Sequence, residues 1–179
     1  MSIVYGNNIK NIQISQNEQQ FVREWIQELV DSTPGFQWVG SLSINNVEPQ
    51  HTIQSKKNND IKLKPKWGFI FYHGQAVAIL ESIFQSTNGT AMERCFRWLA
   101  IANLPQVSIP SSNIVMSFYG PHFNKDEEGY TSASIQKNLH ICAANHINLL
   151  VNPSLEQVEN CITELLEQIQ QQYLSIAAK

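Results

Sequence analysis

Asn113-Ile-Val-Met-Ser-Phe-Tyr-Gly120 is followed by a polar loop, a helical pattern at 132–145 and a second apolar run, His146-Ile-Asn-Leu-Leu-Val151. Both runs are short and apolar, as buried strands are, and the first is rich in β-branched residues. A long amphipathic pattern begins at Ser154. Strand, helix, strand and helix in immediate succession predict mixed α and β structure. Connections of crossover size make part of the sheet parallel.

The pattern extends upstream. Ser15 and Glu18 form a capping box before a helix with Phe21, Trp25 and Leu29 on one face, joined by Val22, Ile26 and Val30. Ser32-Thr-Pro-Gly35 stops it. Residues 36–44 read as a strand interrupted by Gly40, and 45–66 as one long polar, Lys-rich loop. Trp67 to Tyr72 is apolar on both faces and reads as a central strand. His73-Gly74 makes a two-residue turn into a strand over 75–84, where Val77, Leu80 and Phe84 also fit a helix. Thr90 and Glu93 form a second capping box, opening a helix whose expected buried stripe is Met92, Cys95, Phe96, Leu99 and Ala102. The helix near 131–132 has Ile135, Leu139, Cys142 and Ala143 on one face. The last carries Leu155, Val158, Ile162, Leu165, Leu166, Ile169 and Tyr173 on one side. The expectation is an α/β protein, with α+β as the alternative. It is a single domain over 1–179, with a mixed sheet of about five to six strands and four flanking helices in the order α-β-β-β-α-β-α-β-α.

Bulk properties narrow the function classes. A net charge of −3 exerts no general pull on nucleic acid or anionic membrane. The charged fraction of 15% lies below the usual ~25%. No apolar stretch approaches the ~20 residues of a membrane span, and the N-terminus does not read as a signal peptide, so a cytoplasmic location is expected. Cys95, Cys142 and Cys161 fall on apolar helix faces and read as buried small hydrophobes in a reducing compartment.

Four constellations could carry chemistry. Tyr119-Gly-Pro-His122-Phe123 and the acidic run Asp126-Glu127-Glu128 follow a strand end, where ligands of open α/β sheets bind. His122 there is a candidate general base, against the simpler reading that Tyr119 and Phe123 pack and the acidic run is solvated. His140, Cys142 and His146 do not converge on one metal ion at helical spacing, since the two histidines point about 120° apart. Lys56, Lys57, Lys62, Lys64 and Lys66 beside Trp67 could meet phosphate. The acidic total and the lack of a second basic patch set direct nucleic-acid binding aside, leaving an acidic protein or plain solvation. Glu156, Glu159, Glu164 and Glu167 lie opposite the apolar side of the last helix. They form either a solvated face or a docking surface for a basic partner.

The order helix, three strands, helix, strand resembles the core order of the PD-(D/E)xK nucleases. That resemblance implies Glu-x-Lys on the third strand, with metal held by carboxylates. The corresponding stretch is Ala78-Ile-Leu-Glu81-Ser82-Ile83, with an isoleucine where lysine is needed, and Trp67 to Tyr72 carries no carboxylate. The chemistry is therefore not expected. The order also resembles acyl-CoA transferases of the GNAT type, which implies a glycine-bearing loop holding a pyrophosphate. Gln85-Ser-Thr-Asn-Gly89-Thr90-Ala91 occupies that place, with one glycine instead of two. There is no G-x-S-x-G elbow, Walker loop, C-x-x-C or H-E-x-x-H.

The function expected from these residues is non-enzymatic binding of another protein, in the manner of a bacterial immunity or antitoxin-type inhibitor masking a basic partner. The contact residues would be Asp126, Glu127, Glu128, Glu156, Glu159, Glu164 and Glu167, with no cofactor or metal. The alternative is a small acyltransferase-like or hydrolytic enzyme with its pocket at 85–91 and 119–124. Tyr119 and His122 would then act as acid and base, and Gly89 and Thr90 would hold an anionic group. Homodimerisation through a sheet edge or helix face is compatible with either.

Overall fold

The computed structural model describes residues 3–6, 16–44, 61–84, 88–120, 123 and 133–178. In chain order these contain β1 (Ile3–Tyr5), α1 (Gln16–Asp31), β2 (Phe36–Val39), β3 (Leu42–Ile44), β4 (Ile61–Leu63) and β5 (Gly68–Tyr72). Then follow β6 (Gln75–Phe84), α2 (Asn88–Ala102), β7 (Ile114–Tyr119), α3 (Ala133–Ala144), β8 (Asn148–Val151) and α4 (Leu155–Ala177). Six strands form one mixed sheet in the order β1-β8-β7-β6-β5-β2, and β3 and β4 form a separate ribbon.

The two crossover units produce the parallel half of the sheet. β6 pairs parallel with β7 and β7 with β8, while β5 pairs antiparallel with both β6 and β2. His73 and Gly74 join β5 to β6 with positive φ at both positions (47° and 80°), the geometry that matches strand twist in a two-residue hairpin. Residues 75–84 are therefore a strand, and its apolar residues are buried on both faces of the sheet.

Alternation along the strands splits the core into two layers. Ile79, Ile83, Met116, Phe118 and Leu149 face α2 and α3, together with Cys95, Trp98, Leu139 and Cys142. Ala78, Leu80, Val115 and Leu150 face α1 and α4, against Ile26, Val30, Val158, Ile162, Leu165 and Ile169. Helices on both faces bury the central strands completely, as parallel pairing requires.

Several expectations change. The segment 36–44 is two strands in two different sheets, parted at Gly40 and Ser41. The end of the presumed loop 45–66 pairs as β4 with β3, because a distant partner and burial of Leu63 outweigh a weak local pattern. The remainder of that loop, 45–60, lies outside the described residues. β5 is one strand in from the edge, with β2 outside it, and β6 and β7 are central. β1 is an additional edge strand, parallel to β8. A Cβ on Gly6 would collide with the Asn152 carbonyl oxygen, so only glycine lets the chain leave β1 there.

On α2 the buried position is Trp98, not Phe96, which is 50% exposed. α2 starts at Asn88, which places Thr90 inside the first turn rather than at its cap. Leu155 is also exposed, although the rest of the apolar stripe on α4 is buried as expected, apart from the partly buried Tyr173. The two helices α2 and α3 pack side by side, bringing Cys95 and Cys142 to a Cα–Cα distance of 6.8 Å, within reach of a disulfide. Both residues are buried as expected, and their meeting across two helices was not expected.

Candidate functional site

The central strands end together at Phe84, Tyr119 and Val151. Tyr119 is buried there, its ring stacked on Phe84 at 4.6 Å and 1° and set edge-on to Trp67 at 6.0 Å. Burial pushes its phenol well above the ordinary value of 10. Next to it, Asn152 accepts from the Gly120 amide (2.9 Å) and donates to the Gly120 carbonyl (3.0 Å). Phe123 packs against Phe118 at 5.3 Å. The described residues at this end of the sheet are held by aromatic packing and one amide clamp. Of the candidates for an acid/base pocket, Tyr119 is a packing residue. His122 and the acidic run Asp126, Glu127 and Glu128 lie outside the described residues, as does the side chain of Thr90. Gly89 lies in the first turn of α2.

The acidic stripe is fully described. Ser154 caps α4 with a capping box: its hydroxyl accepts from the Gln157 amide, while the Gln157 side chain accepts from the Ser154 amide. The helix then runs for 23 residues, long enough to bury one side and expose the other. Glu156, Glu159, Glu164 and Glu167 are all exposed, opposite Val158, Ile162, Leu165, Leu166 and Ile169. Among the described residues the single ion pair is Glu93–Arg97 on α2, and none involves these four glutamates. The negative field has a local effect: burial first, and then Glu164, push the half-buried Cys161 thiol up to about 12. Glu164 and Glu167 also border a groove of 520 Å³ between α4 and the β1–β8 edge, lined mainly by polar side chains, with the exposed Val4 among the apolar ones.

A second electrostatic feature was not legible in the sequence. Glu81 is 4% exposed on β6, and its carboxylate is satisfied by three donors. One oxygen accepts from the amides of Lys66 (2.8 Å) and Ser82 (3.0 Å), and the other from the Trp98 indole N–H (2.7 Å). The carboxylate thus ties the β4–β5 connection to α2. His140 and His146 are exposed while Cys142 is buried beside Cys95, and among the described residues no three such side chains gather in a metal-ligand arrangement. No protein-family model, curated protein or solved structure matches the chain.

Proposed function

We propose that this protein acts by binding another protein through the exposed face of α4, without catalysis. The observation that carries this reading is the stripe Glu156, Glu159, Glu164 and Glu167, in no ion pair among the described residues, with Glu164 and Glu167 bordering a groove. Unneutralised like charge on one helix face costs a few tenths of a kcal/mol per pair. A basic partner offsets that cost, and complementary charge speeds encounter and selects the partner. The groove adds a concave, largely polar surface beside the charge, with Val4 as its exposed apolar contact.

In its specific form the proposal is an inhibitor of the immunity or antitoxin kind, acting in the cytoplasm, with the acidic stripe masking a basic partner. The run Asp126, Glu127 and Glu128 would supply further acidic contacts to the same partner. In the enzymatic alternative Tyr119 would have to act from within an aromatic packing layer, where burial raises its phenol.

The test is capture from a lysate of the native host with tagged protein, in parallel with a variant carrying Glu156→Gln, Glu159→Gln, Glu164→Gln and Glu167→Gln. The expected result is a stoichiometric basic protein, released by salt and absent from the variant eluate. A partner retained equally by the variant, at the same salt, would show that the stripe is not the contact.

A further inference from the structure

The described cations gather in one place. Alternation along residues 62–67 turns Lys62, Lys64 and Lys66 outward while Leu63, Pro65 and Trp67 are buried. Arg94 and Arg97, one turn apart on α2, form a second row, and the two rows line a depression of 260 Å³. Of the described lysines and arginines, only Arg23 and Lys137 lie elsewhere, and Arg23 sits over the Trp38 ring at 5.0 Å. The net acidity of the chain therefore conceals a local excess of positive charge. Glu93 pairs with Arg97 in solvent and offsets part of it.

The arrangement is braced from below. Glu81 at the floor holds the Lys66 amide and the Trp98 indole, which fixes the lysine row relative to the arginine row. This carboxylate also repels a small anion from the bottom of the depression, so the favourable positions for negative charge lie along the rim. The lining offers an acidic protein little to anchor on, because Leu63 and Trp98 are buried, Ile101 is partly buried against the core and the remaining exposed side chains are charged. Protein interfaces concentrate their energy in exposed apolar and aromatic anchors, whereas nucleic-acid interfaces are cationic and polar. With no exposed aromatic in the depression, stacking on unpaired bases is not available.

We propose that this trough is a sequence-independent contact for the phosphate backbone of duplex nucleic acid. The lysine and arginine rows each meet phosphates, and Glu81 acts as a positioning residue. This surface is separate from the α4 stripe and does not depend on it.

The experiment is fluorescence anisotropy of a labelled random-sequence DNA duplex with the full chain, across a salt series. Five phosphate contacts give a slope of log affinity against log salt of about −4.5, so affinity falls about 500-fold between about 50 and 200 mM salt. The triple variant Lys62→Gln, Lys64→Gln, Lys66→Gln, at exposed positions with no bearing on the core, loses about three units of that slope. The four glutamine substitutions on α4 leave the loss of slope unreproduced. Parallel titrations use poly-glutamate and inorganic tripolyphosphate. Absence of duplex binding at low salt would overturn the proposal, as would binding unchanged in the triple variant. Poly-glutamate bound as tightly as duplex and lost in the same variant would assign the trough to an acidic protein instead. Saturation by tripolyphosphate without duplex binding would assign it to a small phosphate ligand.

Discussion

The carboxylate of Glu81 accepts hydrogen bonds from Lys66, Ser82 and Trp98 in a buried setting, so Glu81→Ala leaves three donors without their acceptor. Each orphaned donor costs about 1–3 kcal/mol, and the variant is expected to lose at least about 3 kcal/mol in urea unfolding. A loss under 1 kcal/mol would show that water replaces the carboxylate. This role was hidden in the sequence because two of the donors come from residues 15 and 17 positions away. Glu81 was visible only as a lone acid in an apolar strand. Cys161 offers a second test. Its thiol is pushed up to about 12, so near pH 8 almost none is thiolate, and iodoacetamide should modify it over a hundred-fold more slowly than a free cysteine. Both causes disfavour the anion, so Glu164→Gln lowers the value and speeds alkylation, while the rate still rises with pH. Equal rates in the two proteins would remove Glu164 as a cause.

Elements were legible where periodicity was long and the ends were marked. α4 combines a capping residue with an apolar stripe repeated over six turns, and β6 follows a turn whose Gly74 adopts the positive φ expected of it. β1 and β4, at three residues each, have too few positions for a period to show, and they form through pairing with β8 and β3. Phe96 illustrates a limit of stripe counting. It fits four residues after Met92, yet Trp98 takes the buried side because Glu81 supplies the acceptor its indole needs. The pairing of α2 with α3 was equally invisible, since Cys95 and Cys142 become neighbours only once both helices lie on the same face of the sheet. Titration with Ellman's reagent in denaturant should find one reactive thiol before reduction and three after it. Reduction is expected to lower stability by about 2–4 kcal/mol, in line with closing a loop across a separation of 47 residues. Three thiols without reductant, in protein isolated under alkylating conditions, would show that the pair is held reduced in the cell.

At the scale of the molecule, charge is segregated while the total stays near balance. The carboxylates of α4 lie on the α1–α4 side, and the lysine and arginine rows belong to elements packed against the other side of the sheet. A net charge of −3 says nothing of this, and the sequence set nucleic acid aside because Arg94 and Arg97 could not be seen to join the lysines. A mixed sheet with flanking helices was legible from the crossovers and the α4 stripe, but which helices share a face was not. The identity of the partner is written in none of these elements, because α4 specifies only the sign and spacing of the charge it prefers. The central claim is that this stripe recruits a basic protein electrostatically. Its most direct test is the association rate of the captured partner as a function of ionic strength, compared between the natural protein and the variant with glutamine at 156, 159, 164 and 167. The account predicts a fast rate that falls steeply with salt for the natural protein and a rate at least about ten-fold slower and nearly flat for the variant. Identical rates and identical salt dependence would contradict it.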